Sequence, residues 1–331
     1  MTIHIFGMIL THQGTFSNNR GEGEGITNTL QKVIREGELY STVSAEAIRY
    51  ALREQWQEQG ETLNRRTLNH RQVQMSNQDF NEWQNNLDDD VLGFMHAKQE
   101  TISRRGNLEV TRAISTTPWA GEVMQNFASS GSNLSQDYKD GQLKKGATPH
   151  PYAAEVHHTR YQFGFALTPD ALGREQNCDK QGEPAKSAYN NEEMTKRVRA
   201  TLNGLLNLRR VGGAHARYFS DYSPEAIILR VTDDPAPRML YCFQQSDTGG
   251  LSIRELFNKV EAGDIVASEL IIGTTLDFAE LRSVIVNENG AGEKDIVADG
   301  PLKGAYLVKG VKRAAELCME KIATIKKEEQ E

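Results

Sequence analysis

The chain of 331 residues lacks several features that assign a class at once. No apolar run approaches the roughly 20 residues needed to cross a bilayer. The opening IHIFGMIL has neither a basic leader nor a small-residue cleavage site, so it reads as a strand and not as a signal peptide. Only three cysteines are present, Cys178, Cys242 and Cys318. They lie far apart with no CxxC pair, which argues against a disulfide framework or a structural zinc. A reduced, cytoplasmic protein is expected, without a membrane partner. There is no nucleophile elbow, zincin or kinase signature and no internal repeat. GEGEG at 21–25 lacks the Lys-Ser/Thr of a P-loop and the spacing of a dinucleotide fingerprint, and its glutamates would repel phosphate. It reads as a flexible loop, and no cofactor is expected.

Positive charge is scarce overall, the formal net charge being −7. That balance argues against a generic nucleic-acid binder, because phosphate contacts dominate such binding. The distribution is uneven, however. Residues 196–217 hold six basic side chains and no acidic one, whereas much of the acid lies after 251. A local basic groove on an acidic body is compatible with both facts.

What is present is an alternation of strands and helices. Residues 3–10 are almost continuously apolar, as in a strand covered on both faces. STVSAEAIRYALREQW has a helical stripe of Ala47, Ile48, Ala51 and Leu52, with Ser44 as its N-cap. Residues 54–103 are polar and rich in Gln, Asn and Arg, an excursion from a core. GNLEVTRAIS returns to strand character. About 35 residues follow with little periodicity, which is long for a connection in a compact domain. Residues 153–167 read as one long strand, and NNEEMTKRVRATLNGLLNLRR as a helix capped by Asn190 or Asn191. EAIILRVT is another strand, and a final helix spans VKRAAELCMEKIATIKK. The order strand, helix, strand, strand, helix, strand matches the split βαβ of a ferredoxin-like or RNA-recognition fold, class α+β, with two large insertions.

Three stretches invite a chemical reading. In PHPYAAEVHHTRYQFGFAL, side chains alternate between faces, so the adjacent His157 and His158 cannot chelate one ion. The face carrying His158, Arg160 and Gln162 could meet a polyanion. Asp88, Asp89 and Asp90 could hold Mg²⁺, but three consecutive carboxylates more often form a solvated turn. Arg49 and Arg53 share a helix face away from the apolar stripe, and Ser44 sits where free N–H groups favour a phosphate.

Together SNNRGEGEG, STVSAEAIRYALR, DDDVLGFM, RRGNLEVTRAIS, HPYAAEVHHTRYQFGFAL and VGGAHARYF resemble, in order, the DevR-type Cas-seven family. That family forms the backbone of type I CRISPR Cascade effectors, here of the I-B kind, within the RAMP superfamily. The similarity covers residues 3–232. It implies an RNA-recognition-motif (ferredoxin-like) palm with a helical fingers insertion and a long thumb loop. The palm would comprise 1–53, 104–115 and 152–240, the fingers 54–103 and the thumb 116–151, with 241–331 an extension packed on the palm. The implied partners are guide RNA (crRNA), the target DNA strand, other copies of the chain, the large or small Cascade subunit, and the Cas-five type and Cas-six type proteins.

Carried over residue by residue, the resemblance puts Ser44, Arg49 and Arg53 on the guide backbone. Glu46 stands where relatives often have an amide and is left out. Asn18, Asn19 and Arg20 match the loop after the first strand; Gly212, Gly213 and His215 match a glycine-rich loop. His158 and Arg160 would border the RNA, and Trp119, Met124 and Phe127 would wedge between bases. Type I backbone subunits are not nucleases, so no catalytic role is expected. The rivals are a metal-dependent RNA-cleaving RAMP protein using Asp88, Asp89 and Asp90, and a small-molecule enzyme of α+β type.

Overall fold

The computed structural model describes residues 2–24, 27–68, 72–97, 101–128, 138–139, 142–143, 150–175, 187–212, 219–245, 250–287 and 295–328. Its centre is a sheet built from β1 (His4–Thr11), β2 (Lys32–Arg35), β3 (Glu38–Val43), β4 (Leu108–Val110), β5 (Ala113–Ser115), β6 (Tyr161–Leu167), β7 (Pro224–Thr232), β8 (Leu270–Thr274) and β9 (Tyr306–Lys309). The strand order is β9-β8-β7-β1-β6-β5-β3-β2, with β4 also on β6. Every pair is antiparallel except β8 with β9. The helices are α1 (Ala45–Glu58), α2 (Leu87–Leu92), α3 (Asn191–Leu206), α4 (Arg254–Glu261) and α5 (Val311–Glu328).

The unbroken apolar run of β1 has a simple cause: both faces of the sheet are covered. Ile5 and Ile9 point into one core with Leu52 and Trp56 of α1, Val198 and Leu205 of α3, and Cys318 of α5. Phe6, Met8 and Leu10 point into the other, with Phe243, Leu256 of α4 and Phe278. The period of two thus divides one hydrophobic run between two cores. Gly7 lies opposite Phe165, whose ring would come within 2.1 Å of an added Cβ. A side chain at that position would displace the ring.

The C-terminal part, expected to pack as an extension, does more than that. It supplies β8 and β9 to the same sheet and helices to both of its faces. No described helix is long and apolar enough to cross a membrane.

Several expectations need correction. Residues 54–103 are not mainly helical beyond the end of α1. Their described part comprises the hairpin Arg65–Leu68 with Gln72–Met75, a 3-10 turn at Trp83–Asn85, the six-residue α2, and the short pair Phe94–His96 with Ile102–Arg104. The polar 65–75 segment has no apolar stripe for a helix to bury, and backbone pairing satisfies it instead. The stretch 116–151, expected as a long loop of little periodicity, contributes Val123–Ala128 to a ribbon paired antiparallel with His150–Glu155, which runs past its end. The expected strand at 153–167 breaks at Val156 and Arg160 into three pieces. Asn19–Glu24, expected as a loop, pairs with Thr27–Leu30.

Candidate nucleic-acid interface

Helix α1 starts as its sequence demands. Ser44 is extended, and its hydroxyl accepts from the Ala47 N–H at 3.3 Å, satisfying one of the helix's orphan donors. Ile48, Ala51, Leu52 and Trp56 are buried against the sheet and α3. Arg49 and Arg53 were expected on a solvated face, and this is the first correction at the site. They face α2: the Arg49 guanidinium donates to the Leu92 carbonyl, and Arg53 Nε lies 3.6 Å from Asp88 Oδ2. Burial, aided by the nearby Arg65 charge, lowers the Arg53 pKa to about 10, with Asp88 opposing the shift. Periodicity shows which helix face avoids the main core; it does not show whether water or an insertion covers that face.

Asp88, Asp89 and Asp90 correct the solvated-turn expectation most sharply, since all three are 0% exposed. Two of the carboxylates hold the Asn64 turn and the third holds other parts of the chain. Asp88 accepts from the Asn64 and Arg65 N–H groups at 2.8 and 3.2 Å. Asp89 accepts from Asn64 Nδ2 at 2.7 Å. Asp90 accepts from Arg104 at 2.6 Å, Arg197 of α3 at 3.4 Å and the Gly173 N–H at 3.1 Å. The two arginines are themselves stacked, Arg104 over Trp83 and Arg197 over Tyr189. Asp89 Oδ1 has no hydrogen-bond partner among the described residues. Burial, followed by the neighbouring Asp88, raises the Asp89 pKa to about 7. Among the described residues no three His, Cys, Asp or Glu side chains group to hold a metal ion.

Beside α1, on the face carrying Ala47, Tyr50 and Glu54, runs a groove of about 1150 Å³. Its other wall is the chain leaving α3: Arg209, Arg210, Gly212, Phe219 and Asp221. Arg209 and Asp221 form a bridge across the neck of this segment, and both arginines pair with Glu58. Gly212 has φ +67, and a Cβ there would sit 3.1 Å from Asn18 Oδ1. The Asn18 side chain is buried and committed to Tyr161 and Tyr222. Asn19 and Arg20 lie on the adjoining strand, but their side chains fall outside the described residues, as do Gly213 and His215 entirely.

In the histidine-rich stretch, His157 is buried and His158 exposed, bonded to Thr15 at 3.2 Å. Arg160 is half-buried and already paired with Glu225 at 2.9 Å and Gln13 at 3.1 Å. Gln162, read as part of the same exposed face, is buried and holds the Phe243 backbone. Trp119 anchors the ribbon: its indole donates to the Val156 carbonyl at 2.8 Å, and Lys32 Nζ lies 3.9 Å from the ring centroid. Lys32 also reaches Glu155 at 2.5 Å. Further out, Met124 and Phe127 are 46% and 72% exposed.

Residues 17–247 match the family model described as "CRISPR-associated negative auto-regulator DevR/Csa2". The chain belongs to the DevR/Csa2 family. It is also 37% identical over 343 residues to the "CRISPR-associated protein Cas7/Cst2/DevR" of Myxococcus xanthus (strain DK1622), spanning 99% of this chain and 100% of that one. Two solved structures share the fold at low identity. A chain of a "CRISPR RNA-guided surveillance complex" is 14% identical with TM-score 0.52, covering 97% of this chain and 100% of the other. A chain of a "CRISPR RNA-guided surveillance complex, pre-nicking" is 12% identical with TM-score 0.56, covering 97% and 99%.

For this DevR/Csa2-family chain, sequence reading overlooked Tyr50, Arg209, Arg210 and Phe219, the side chains that border the groove with Gly212. A signal existed for two of them. Arg209 and Arg210 stand at the end of the α3 sequence immediately before the glycines, inside the one basic, acid-free segment. Phe219, 94% exposed with φ +46, had none.

Proposed function

We propose that the chain is a non-catalytic backbone subunit of a type I CRISPR Cascade effector. In this reading it grips guide RNA by the phosphate backbone, polymerises with other copies along it, and presents it for pairing with a target DNA strand. The observation that carries the reading is full-length similarity to a Cas7/Cst2/DevR relative, on a sheet whose order β7-β1-β6-β5 is that of a split βαβ palm. Excursions leave this palm after α1 and after β5, where fingers and thumb belong. The excursion after β5 carries the exposed apolar side chains of Val123, Met124 and Phe127, which a single chain leaves uncovered.

Within that reading the guide runs along the groove beside α1, over the Gly212 backbone. His158, Arg209 and Arg210 lie at the surface as cations or donors, and Tyr50 and Phe219 as stacking faces. Ser44 acts through the N-terminus of α1. Asn18, Arg49, Arg53 and Arg160 belong to the surrounding frame, and Asn19, Arg20, Gly213 and His215 keep the guide-contact role that the resemblance implies. Met124 and Phe127 wedge the bases, while Trp119 holds the ribbon root. A guide changes sequence with every spacer, so backbone contacts suit the task and bases stay available. The large or small subunit and the Cas-five and Cas-six types would complete the complex. A nuclease built on Asp88, Asp89 and Asp90 is disfavoured, because all three carboxylates are wholly buried, Asp88 holding backbone amides, Asp89 the Asn64 side chain and Asp90 two arginines and a backbone amide.

Affinity for single-stranded RNA oligonucleotides of unrelated sequence, measured across a salt series, tests the proposal. Similar affinities for all sequences with a steep salt dependence are expected. Tight binding of one sequence alone would contradict backbone recognition.

A further inference from the structure

Between the Gly212 segment and the ribbon root lies a chain of polar side chains, all buried except the half-buried Thr117. Tyr222 donates to Asn18 Oδ1 at 2.6 Å, and Asn18 Nδ2 donates to the Tyr161 hydroxyl at 3.0 Å. The Tyr161 hydroxyl lies 2.6 Å from Ser41 Oγ, which lies 2.7 Å from His157 Nδ1. His157 Nε2 is 3.2 Å from Thr117 Oγ1, and that hydroxyl is 2.7 Å from Thr159 Oγ1, which donates to the Arg160 carbonyl.

The polarity is consistent from end to end. Tyr161 accepts from Asn18, so its own proton goes to Ser41; Ser41 then donates to His157 Nδ1, leaving the imidazole proton on Nε2 for Thr117. Tyr222 starts the chain as a donor, and the hydroxyls of Tyr161, Ser41, Thr117 and Thr159 are each used once as acceptor and once as donor, the arrangement in which successive bonds polarise one another. Burial keeps both phenols protonated and lowers the His157 pKa, which favours the neutral ring this pattern needs. The members come from five places in the sequence: the segment after β1, β3, the ribbon root, the histidine stretch with β6, and the segment before β7. At one end, Asn18 Oδ1 packs against Gly212, 3.1 Å from where a Cβ on that residue would stand. At the other, Thr117 lies two residues from Trp119.

We propose that Tyr222, Asn18, Tyr161, Ser41, His157 and Thr117 form one positioning device that couples the Gly212 segment to the root of the ribbon. Resting on the guide-binding reading, this makes contact along the groove and the stance of the wedge interdependent. Thr117→Val and Tyr222→Phe cut opposite ends while keeping side-chain shape. In RNA-free protein, backbone hydrogen exchange should rise at Arg209, Val211 and Gly212 in the Thr117→Val variant, and at Trp119 and Val156 in the Tyr222→Phe variant. Acceleration confined to each variant's own end would overturn the coupling. That arm needs no RNA, so it decides the inference even if the guide-binding reading fails. With a single-stranded RNA oligonucleotide as probe, each variant should weaken binding about threefold and the double variant also about threefold, against about ninefold for independent sites. A ninefold loss would likewise overturn the proposal.

Discussion

The residues between α1 and β4 and those between β5 and β6 are both excursions from one sheet, yet they are held in opposite ways. The first is drawn inward by buried charge: Asp88 and Asp89 fasten the Asn64 turn, and Asp90 fastens Arg104, Gly173 and Arg197. The second is fixed near its root by Trp119, Lys32 and Glu155, and beyond that presents Val123, Met124 and Phe127 to solvent. A buried ion pair does little for net stability compared with an apolar replacement, but removing one partner strands the other. Exposed apolar side chains do the reverse, costing little when removed from the isolated chain and mattering once a ligand covers them. The two insertions therefore differ in where mutation should be felt, in folding for the first and in binding for the second.

The largest effect should follow Asp90→Ala. Arg104, 4% exposed, would lose its carboxylate, Arg197, 8% exposed, would keep only the Glu193 carboxylate, and the Gly173 N–H would lose its acceptor. A loss of about 3–5 kcal/mol is expected in denaturant unfolding. A loss below about 1 kcal/mol would mean that the cluster does not hold the insertion.

Asp89→Asn should act in the opposite direction. The native carboxyl titrates at about 7 against an ordinary 3.8, so the folded chain keeps a proton that the unfolded chain has released. Stability is then lost as pH rises from about 4 to about 7 and is level above that. The asparagine can still accept from Asn64 and carries no charge, so the variant should melt higher than wild type at pH 8 and nearly with it at pH 4. Equal melting at both pH values would show that Asp89 is not carrying the buried charge.

The smallest effect on stability should come from replacing Val123, Met124 and Phe127 together by Ser. Unfolding should shift by less than about 0.5 kcal/mol per site. RNA binding should weaken by the loss of base stacking, on the order of 1–3 kcal/mol per base. A variant that binds unrelated RNA as wild type does would remove the ribbon from the interface.

This contrast also explains what was legible beforehand. The central strands and α1 could be read because burial imposes a period: Ile5 and Ile9 against Met8 and Leu10, or Ile48 and Leu52 at helical spacing. Ser44 could be read because a helix start needs an acceptor. The burial of Asp88, Asp89 and Asp90 could not, since it depends on arginines at 104 and 197 and backbone amides at 64 and 173 that only the fold assembles. Arg49 and Arg53 misled for the same reason, because the short α2 that covers them lies in a polar stretch whose return to the core only the fold shows. The pairing of Val123–Ala128 with His150–Glu155 was hidden by ribbon faces that are both polar and apolar. Gly212 was visible as a glycine, but its close approach to Asn18 was not.

The central claim is that the chain exists to hold a guide. Its most direct test is the nucleic-acid content of the protein purified from cells that also express a matching CRISPR array. A discrete small RNA, co-purifying with an oligomer and protected from nuclease at regular intervals, is the predicted result. A stable monomer free of RNA from those same cells would contradict the account.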